Sequence, residues 1–273
     1  MKQKVAIQGI LGSYHHEATA LYFGEGNYSL LECHTFKELT QSVKNNQANY
    51  GLIAIENSIA GALLPNYSHI TNDKLFIIGE IYMPIHHHLM ALKGETISTL
   101  NEIQSHPMAL LQCANYLEKL EHIKVVESID TALSAKIIAE KKLAHIGAIA
   151  SKKAAEEYGL AILNDTIQTN KENYTRFFVV AKNNHKIENF DKASLRFSLG
   201  HETGSLAKVL TKIAEMNINL TKIQSIPIVE KPWEYSFYID VVFEEMAIYL
   251  KMKKELLTLT HDFEVLGEYK NGK

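Results

Sequence analysis

A run of uniformly apolar residues, Gly51-Leu52-Ile53-Ala54-Ile55, is followed at once by Glu56-Asn57-Ser58. A stretch that short and that apolar suits a strand buried on both faces, as in parallel sheets whose crossovers are helices. The flanking chain supplies the alternation such a sheet requires. Strands at 5–8 and 28–33 enclose a helix from about 15 to 23, and Thr35-Phe36-Lys37-Glu38 reads as a capping box opening a second helix. A loop or short helix at 61–69, extended segments at 75–82 and 86–92, and a helix from Pro107 follow. Then come a strand at 123–126, a helix at 130–142, a strand at 145–149 and a helix running from Ser151 to Gly159. The alternation predicts an α/β layer fold. Ligands of open parallel sheets sit beyond the carboxyl ends of the strands, which makes Glu56-Asn57-Ser58 a candidate hydrogen-bonding cluster.

With 273 residues, 46% of them hydrophobic, the chain is long enough for two domains. A net charge of -3 without a long basic run argues against nucleic acid, because neutralising phosphates takes clustered cations. No apolar run is long enough to span a bilayer, and the opening Met-Lys-Gln-Lys leads into a strand and not a signal peptide. Cytoplasmic localisation and no membrane partner are therefore expected. Two cysteines, Cys33 and Cys113, sit among apolar neighbours and are expected to pack as reduced hydrophobes.

The stretch Glu172-Asn173-Tyr174-Thr175-Arg176-Phe177-Phe178-Val179-Val180 carries a polar loop into a core strand. Arg176 and Arg196 are the only arginines of the chain. A guanidinium fork grips a carboxylate through two parallel hydrogen bonds, so Arg176 is expected to hold a small carboxylate beside the Thr175 hydroxyl. A structural salt bridge is the plainer alternative. Gly9-Ile10-Leu11-Gly12-Ser13 lies between a strand and a helix and could offer backbone N–H groups to an anion. It lacks the third glycine of a dinucleotide loop and the lysine of a phosphate loop, and no cofactor is expected. Nor is a metal: of His86-His87-His88 only the first and third could share a strand face, with no acidic or thiol neighbour. Ser105 is expected to cap the helix opened by Pro107, with Gln112 near the end of its second turn.

Residues 182–193 are polar and weakly patterned and read as a linker between a domain at 1–181 and another at 194–273. The first would hold two lobes, about 1–80 with 166–181, and 81–165. The second reads strand, helix, strand, a turn at Glu230-Lys231-Pro232, strand, helix, strand, the βαββαβ order of ferredoxin-like modules.

Taken together, these motifs resemble the prephenate dehydratases with a C-terminal ACT regulatory domain. The likeness covers essentially the whole chain. It is carried in order by Gly9-Ile10-Leu11-Gly12-Ser13-Tyr14, Ile55-Glu56-Asn57-Ser58-Ile59-Ala60-Gly61, Ser105-His106-Pro107 with Gln112-Cys113, Asp130-Thr131-Ala132, Ala148-Ile149-Ala150-Ser151, and Asn173-Tyr174-Thr175-Arg176-Phe177. Gly204-Ser205-Leu206-Ala207 follows in the last module. The resemblance implies a two-lobed catalytic domain like a type II periplasmic binding protein, with prephenate in the cleft and phenylpyruvate as product. It implies Thr175 as the catalytic threonine and Asn57, Ser105 and Gln112 as polar lining. On this reading Gly12, Ser13 and Arg176 would hold carboxylates, Ser58 and Phe177 would help bind, and Glu56 or His106 could supply a proton. Gly204, Ser205, Leu206, Ala207, Gln224 and Ser225 would form the effector region. Phenylalanine is the implied effector and a homodimer or homotetramer the implied assembly. Where the family carries Glu-Ser-Arg-Pro, this chain has Gln224-Ser225-Ile226-Pro227. Arogenate as the substrate, or a non-catalytic amino-acid sensor, are the alternatives.

Overall fold

The computed structural model describes residues 2–185, 187–228, 231 and 233–273. The expected turn at Glu230-Lys231-Pro232 falls largely outside them, since Glu230 and Pro232 are not described. In chain order the first elements are β1 (Gln3–Gln8), α1 (Tyr14–Phe23), β2 (Tyr28–Cys33), α2 (Phe36–Lys44), β3 (Tyr50–Asn57), β4 (Gly61–Ala62), α3 (Leu64–Asn72) and β5 (Phe76–Pro84). They are followed by β6 (His88–Ala91), β7 (Glu102–Ser105), α4 (Pro107–Gln112), α5 (Ala114–Leu117), β8 (Lys124–Glu127), α6 (Thr131–Lys141), β9 (Ile146–Ala150), α7 (Lys152–Tyr158), β10 (Ala161–Asn164) and β11 (Tyr174–Ala181). The C-terminal part holds β12 (Lys192–Ser198), α8 (Ser205–Glu215), β13 (Asn219–Pro227), β14 (Tyr235–Val242), α9 (Met246–Leu259) and β15 (His261–Tyr269). Strands β7 and β10 were not anticipated from the sequence.

Each of three sheets has its own strand order. The first runs β2-β1-β3-β11-β5 with β4 beside β3, and the second runs β10-β6-β9-β7-β8. In the first sheet β1, β2 and β3 are parallel, as the apolar run at 51–55 predicts, while β11 returns antiparallel between β3 and β5. The chain therefore builds one lobe, crosses to the second, and comes back through β11. The third sheet, β13-β14-β12-β15, is the expected βαββαβ module. Among the described residues no helix is long and apolar enough to cross a membrane. Cys33 and Cys113 are both free and buried.

The C-terminal sheet does not hang from a linker. Its Tyr238, Leu266 and Tyr269 belong to the same apolar cluster as Ile53, Ile55, Ile77 and Phe178 of the first lobe. Gly267 lies so close to β5 that a Cβ there would meet the Ile77 carbonyl oxygen at 2.1 Å, so only glycine fits. The module's other core, with Val209, Ile213 and Met252, faces its own helices. Its sheet is thus covered on both faces.

Candidate active site

Between the two lobes lies a cleft of about 860 Å³. The first lobe lines it with Ser13, Asn57, Thr175 and Phe177, and the second with His106, Met108, Gln112, Ile129 and Thr131. Residues far apart in sequence meet there because β3 and β11 pair in a register that sets Asn57 opposite Thr175.

The orientation of each polar side chain follows from its neighbour, starting at an Asx turn. Asn57 Oδ1 accepts the N–H groups of Ile59 at 3.0 Å and Ala60 at 2.8 Å, which fixes its amide. Its Nδ2 is then the atom that donates to Asn173 Oδ1 at 2.7 Å and to Thr175 Oγ1 at 3.0 Å. Asn173 Nδ2 donates in turn to Gln112 Oε1 at 2.9 Å. Gln112 Oε1 can only accept, so His87 Nε2, 2.7 Å away, carries the ring proton. His87 Nδ1 is left to accept from the Tyr14 hydroxyl at 2.6 Å. Burial lowers the pKa of His87 and raises that of Tyr14 well above its usual value, so both are neutral. Thr175 therefore receives a hydrogen bond, and its own proton has no acceptor among the described residues.

Positive potential reaches the cleft from backbone more than from side chains. Helices α1, α2, α3, α4 and α6 all present their N-terminal residues to it, through Ser13 to His15, Thr35 to Lys37, Leu63 with Pro65 and Asn66, His106 with Met108 and Ala109, and Asp130 with Thr131. Such ends carry a partial positive charge, and those of α1, α2 and α6 have unpaired N–H groups, whereas at α4 Pro107 has no N–H and those of Met108, Ala109 and Leu110 go to His106. Lys37 adds a full positive charge, set against the Asp130 carboxylate, which also lines the cleft and is engaged in part at the α6 cap through Leu133 N–H. In a chain of net charge -3, that convergence favours an anionic ligand.

Several expected site residues take other places. Arg176 emerges from the opposite face of β11 to Thr175, as neighbours on a strand must. There its Nε donates to Glu80 Oε2 at 2.8 Å and its guanidinium reaches Asp240 Oδ2 at 2.5 Å. Burial alone would lower its pKa, but Asp240, Tyr269 and Glu80 together raise it, and the fork is fully engaged. It cannot hold a ligand in the cleft. Glu56 likewise faces away and pairs with Lys222 at 2.9 Å, which removes it as a proton donor. Ser105 is fully buried at the end of β7, where its Oγ donates to the Ile149 carbonyl, and the helix cap is His106, whose Nδ1 accepts from Met108 N–H. Ser58 pins the loop to Glu172 and Tyr174. The Gly12 N–H goes to His16 Nδ1 and the Ser13 N–H to the Ile10 carbonyl. Those two amides are unavailable to a ligand, whereas Tyr14 and His15, at the first helical positions, have no helical acceptor for theirs. Gly12, at φ +84°, lets the loop approach α7, where a Cβ would lie 2.9 Å from Ala154 Cα. The Thr35 cap forms as expected, but Glu38 reaches past Thr35 to the His34 N–H.

In the C-terminal module Gly204, at φ 82°, opens α8, and Ser205, Leu206 and Ala207 form its first turn. The register that sets Ser198 and Ile226 both opposite Ser236 puts that turn at the same end of the sheet as Gln224 and Ser225. The outer edge of β13 pairs with no strand among the described residues.

Comparison with known proteins agrees with this architecture. The family model for prephenate dehydratase matches residues 5–185, and that for the ACT domain matches residues 193–247. A bifunctional chorismate mutase/prephenate dehydratase of Aquifex aeolicus is 36% identical over 98% of this chain and 74% of its own length. Arogenate dehydratase/prephenate dehydratase 6 of Arabidopsis thaliana is 34% identical over 97% of this chain and 68% of its own. Among solved structures, GqqA, described as a quorum quenching acylase, superposes with a TM-score of 0.89 at 26% identity, covering 98% of each chain. Prephenate dehydratase from Arthrobacter aurescens in complex with L-Phe gives 0.88 at 24%, covering 98% of this chain and 90% of that one. The chain belongs to the prephenate dehydratase family, with a C-terminal ACT domain.

Proposed function

We propose that the chain converts prephenate to phenylpyruvate, carbon dioxide and water in the interlobe cleft, acting as a carbon–oxygen lyase. The observation that carries this reading is the Thr175 hydroxyl, held by Asn57 Nδ2 at 3.0 Å with its own proton uncommitted. In the reaction the bond between the ring and its carboxylate breaks, its electron pair enters the ring, and the 4-hydroxyl departs. Aromatisation drives the step, so no electron sink is needed. The difficulty is the leaving hydroxide, and Thr175 supplies a donor where its negative charge develops. His106, whose Nδ1 accepts at the helix cap, has its Nε2–H left to offer a second hydrogen bond to the departing oxygen. The substrate's two carboxylates are matched by the helix starts and Lys37. The amide of Gln112 remains able to donate through Nε2, and Phe177, with Met108 and Ile129 across the cleft, supplies apolar surface for the ring.

An acylase reaction with Thr175 as its nucleophile would require a base to take the Thr175 proton. The group bonded to Thr175 Oγ1 is an amide donor, which cannot act so. Phenylalanine, bound at the end of the ACT sheet near Gly204 and Gln224, is the effector we infer. The open edge of β13 would pair two copies, and sedimentation would distinguish dimer from tetramer. The decisive assay follows phenylpyruvate absorbance with prephenate and, separately, the product from arogenate. Turnover of prephenate is expected, and turnover of neither acid would leave the cleft as a binding site.

A further inference from the structure

The residues beside the catalytic pair form a second pair of their own. Glu56 and Arg176 face each other across β3 and β11, one step from Asn57 and Thr175. They emerge on the reverse of the sheet, and each is held there by the C-terminal module. Glu56 Oε2 pairs with Lys222 Nζ at 2.9 Å, and Arg176 pairs with Asp240 Oδ2 at 2.5 Å. Lys222 and Asp240 are themselves cross-strand neighbours on β13 and β14. Two strand pairs from two sheets thus meet as a complementary quartet, negative on positive and positive on negative. Asp240 is held further by Ser194 Oγ at 2.5 Å, and Arg176 by Glu80, which also takes Lys192 Nζ at 2.8 Å. The two cations and two carboxylates of that inner cluster balance, and all four are buried.

We propose that Glu56 and Arg176 are positioning residues for Asn57 and Thr175, and that Lys222 and Asp240 are the socket through which the C-terminal sheet sets the hydrogen bond between them. The proposal rests on the reading of the cleft as a prephenate site. A single peptide unit separates each anchored residue from its catalytic neighbour, so displacement of the module is delivered to the Asn57–Thr175 pair with little loss. Misplacement by about 1 Å can cost as much as ~10²-fold in rate. Substrate binding is affected less, because the starts of α1, α4 and α6 pack on the opposite face of the sheet or in the second lobe, away from the module.

The test uses the full chain. Glu56→Lys and Lys222→Glu are each expected to lower kcat by roughly tenfold, within the range for misplaced catalytic groups, with KM changed less than about twofold. The combined variant restores the pair with reversed sign and recovers most of the loss. Asp240→Asn keeps the Ser194 bond, removes the charge, and is expected to lower stability and to lower kcat more than it changes KM. Lys212→Met, which breaks an exposed pair with Glu215, serves as the unchanged control. Single variants with normal kcat, or a double variant as slow as the slower single one, would overturn the proposal. An arm independent of turnover follows hydrogen exchange at 55–58 and 173–177. Faster exchange in Lys222→Glu, reversed in the double variant, is expected, and unaltered exchange overturns the coupling by itself. Failure of the unaltered chain to turn over prephenate would instead overturn the function reading, and exchange would still judge the coupling. Should Asp240→Asn not fold, the rim pair decides, since Glu56 is 40% exposed.

Discussion

The two faces of β11 carry opposite kinds of polarity. Toward the cleft, Thr175 joins a neutral network that leaves a hydroxyl proton and the Gln112 amide nitrogen without partners among the described residues. Toward the C-terminal module, Arg176 sits in an ion cluster whose donors and acceptors are matched by Glu80, Asp240, Lys192, Ser194 and Tyr269. Polar groups left uncommitted at a buried site are available to a ligand, whereas those fully engaged hold the fold. Removing a member should therefore cost chiefly stability on the ion face, with a smaller loss of turnover passed through Glu56 and Arg176, and chiefly turnover on the cleft face.

The largest effect is expected on the ion face. Arg176→Met leaves Glu80 and Asp240 buried without their shared cation, and loss of one partner from such a cluster costs about 3–5 kcal/mol. Urea unfolding would read this, and a stability loss below about 1 kcal/mol would show that the cluster is not what it appears in the geometry. On the cleft face, Thr175→Ala should lose roughly 10²-fold in kcat, about 2.7 kcal/mol in barrier, while its unfolding midpoint stays near that of the unaltered chain. Near-normal turnover would remove Thr175 from the mechanism. A smaller effect concerns His15, which lines the cleft edge-on to Phe177 with ring centroids 5.1 Å apart. Burial keeps its imidazole neutral by lowering its pKa to about 3. Because the folded value lies below the unfolded one, near 6.5, its contribution is intact above pH ~6.5 and is lost as pH falls toward the folded value. Between pH 6.5 and 5 the loss is about 2 kcal/mol at ~1.4 kcal/mol per pH unit. His15→Leu should lose correspondingly less stability over that interval, and equal losses in both proteins would acquit His15.

Much of this is legible in the sequence. The apolar run at 51–55 gave the parallel sheet, and Asn57, Gln112, Thr175 and Phe177 do converge on the cleft. The errors at Arg176 and Glu56 share one cause. Alternation along a strand forbids Thr175 and Arg176, or Glu56 and Asn57, from facing the same way, but sequence does not say which face the substrate uses. The same rule, applied to the three histidines, gives His87 no role, because its partners Tyr14 and Gln112 lie on other elements and no local pattern announces them. Lys37 was visible only as part of a helix start. The five converging helix ends could not be read at all, since convergence is a property of topology.

The apolar cluster shared by Phe178, Ile77, Tyr238, Leu266 and Tyr269 has one more consequence. Cutting the chain between the first sheet and the ACT module would strip the cover from a contiguous greasy surface. A severed catalytic fragment should accordingly self-associate at concentrations where the whole chain stays dispersed.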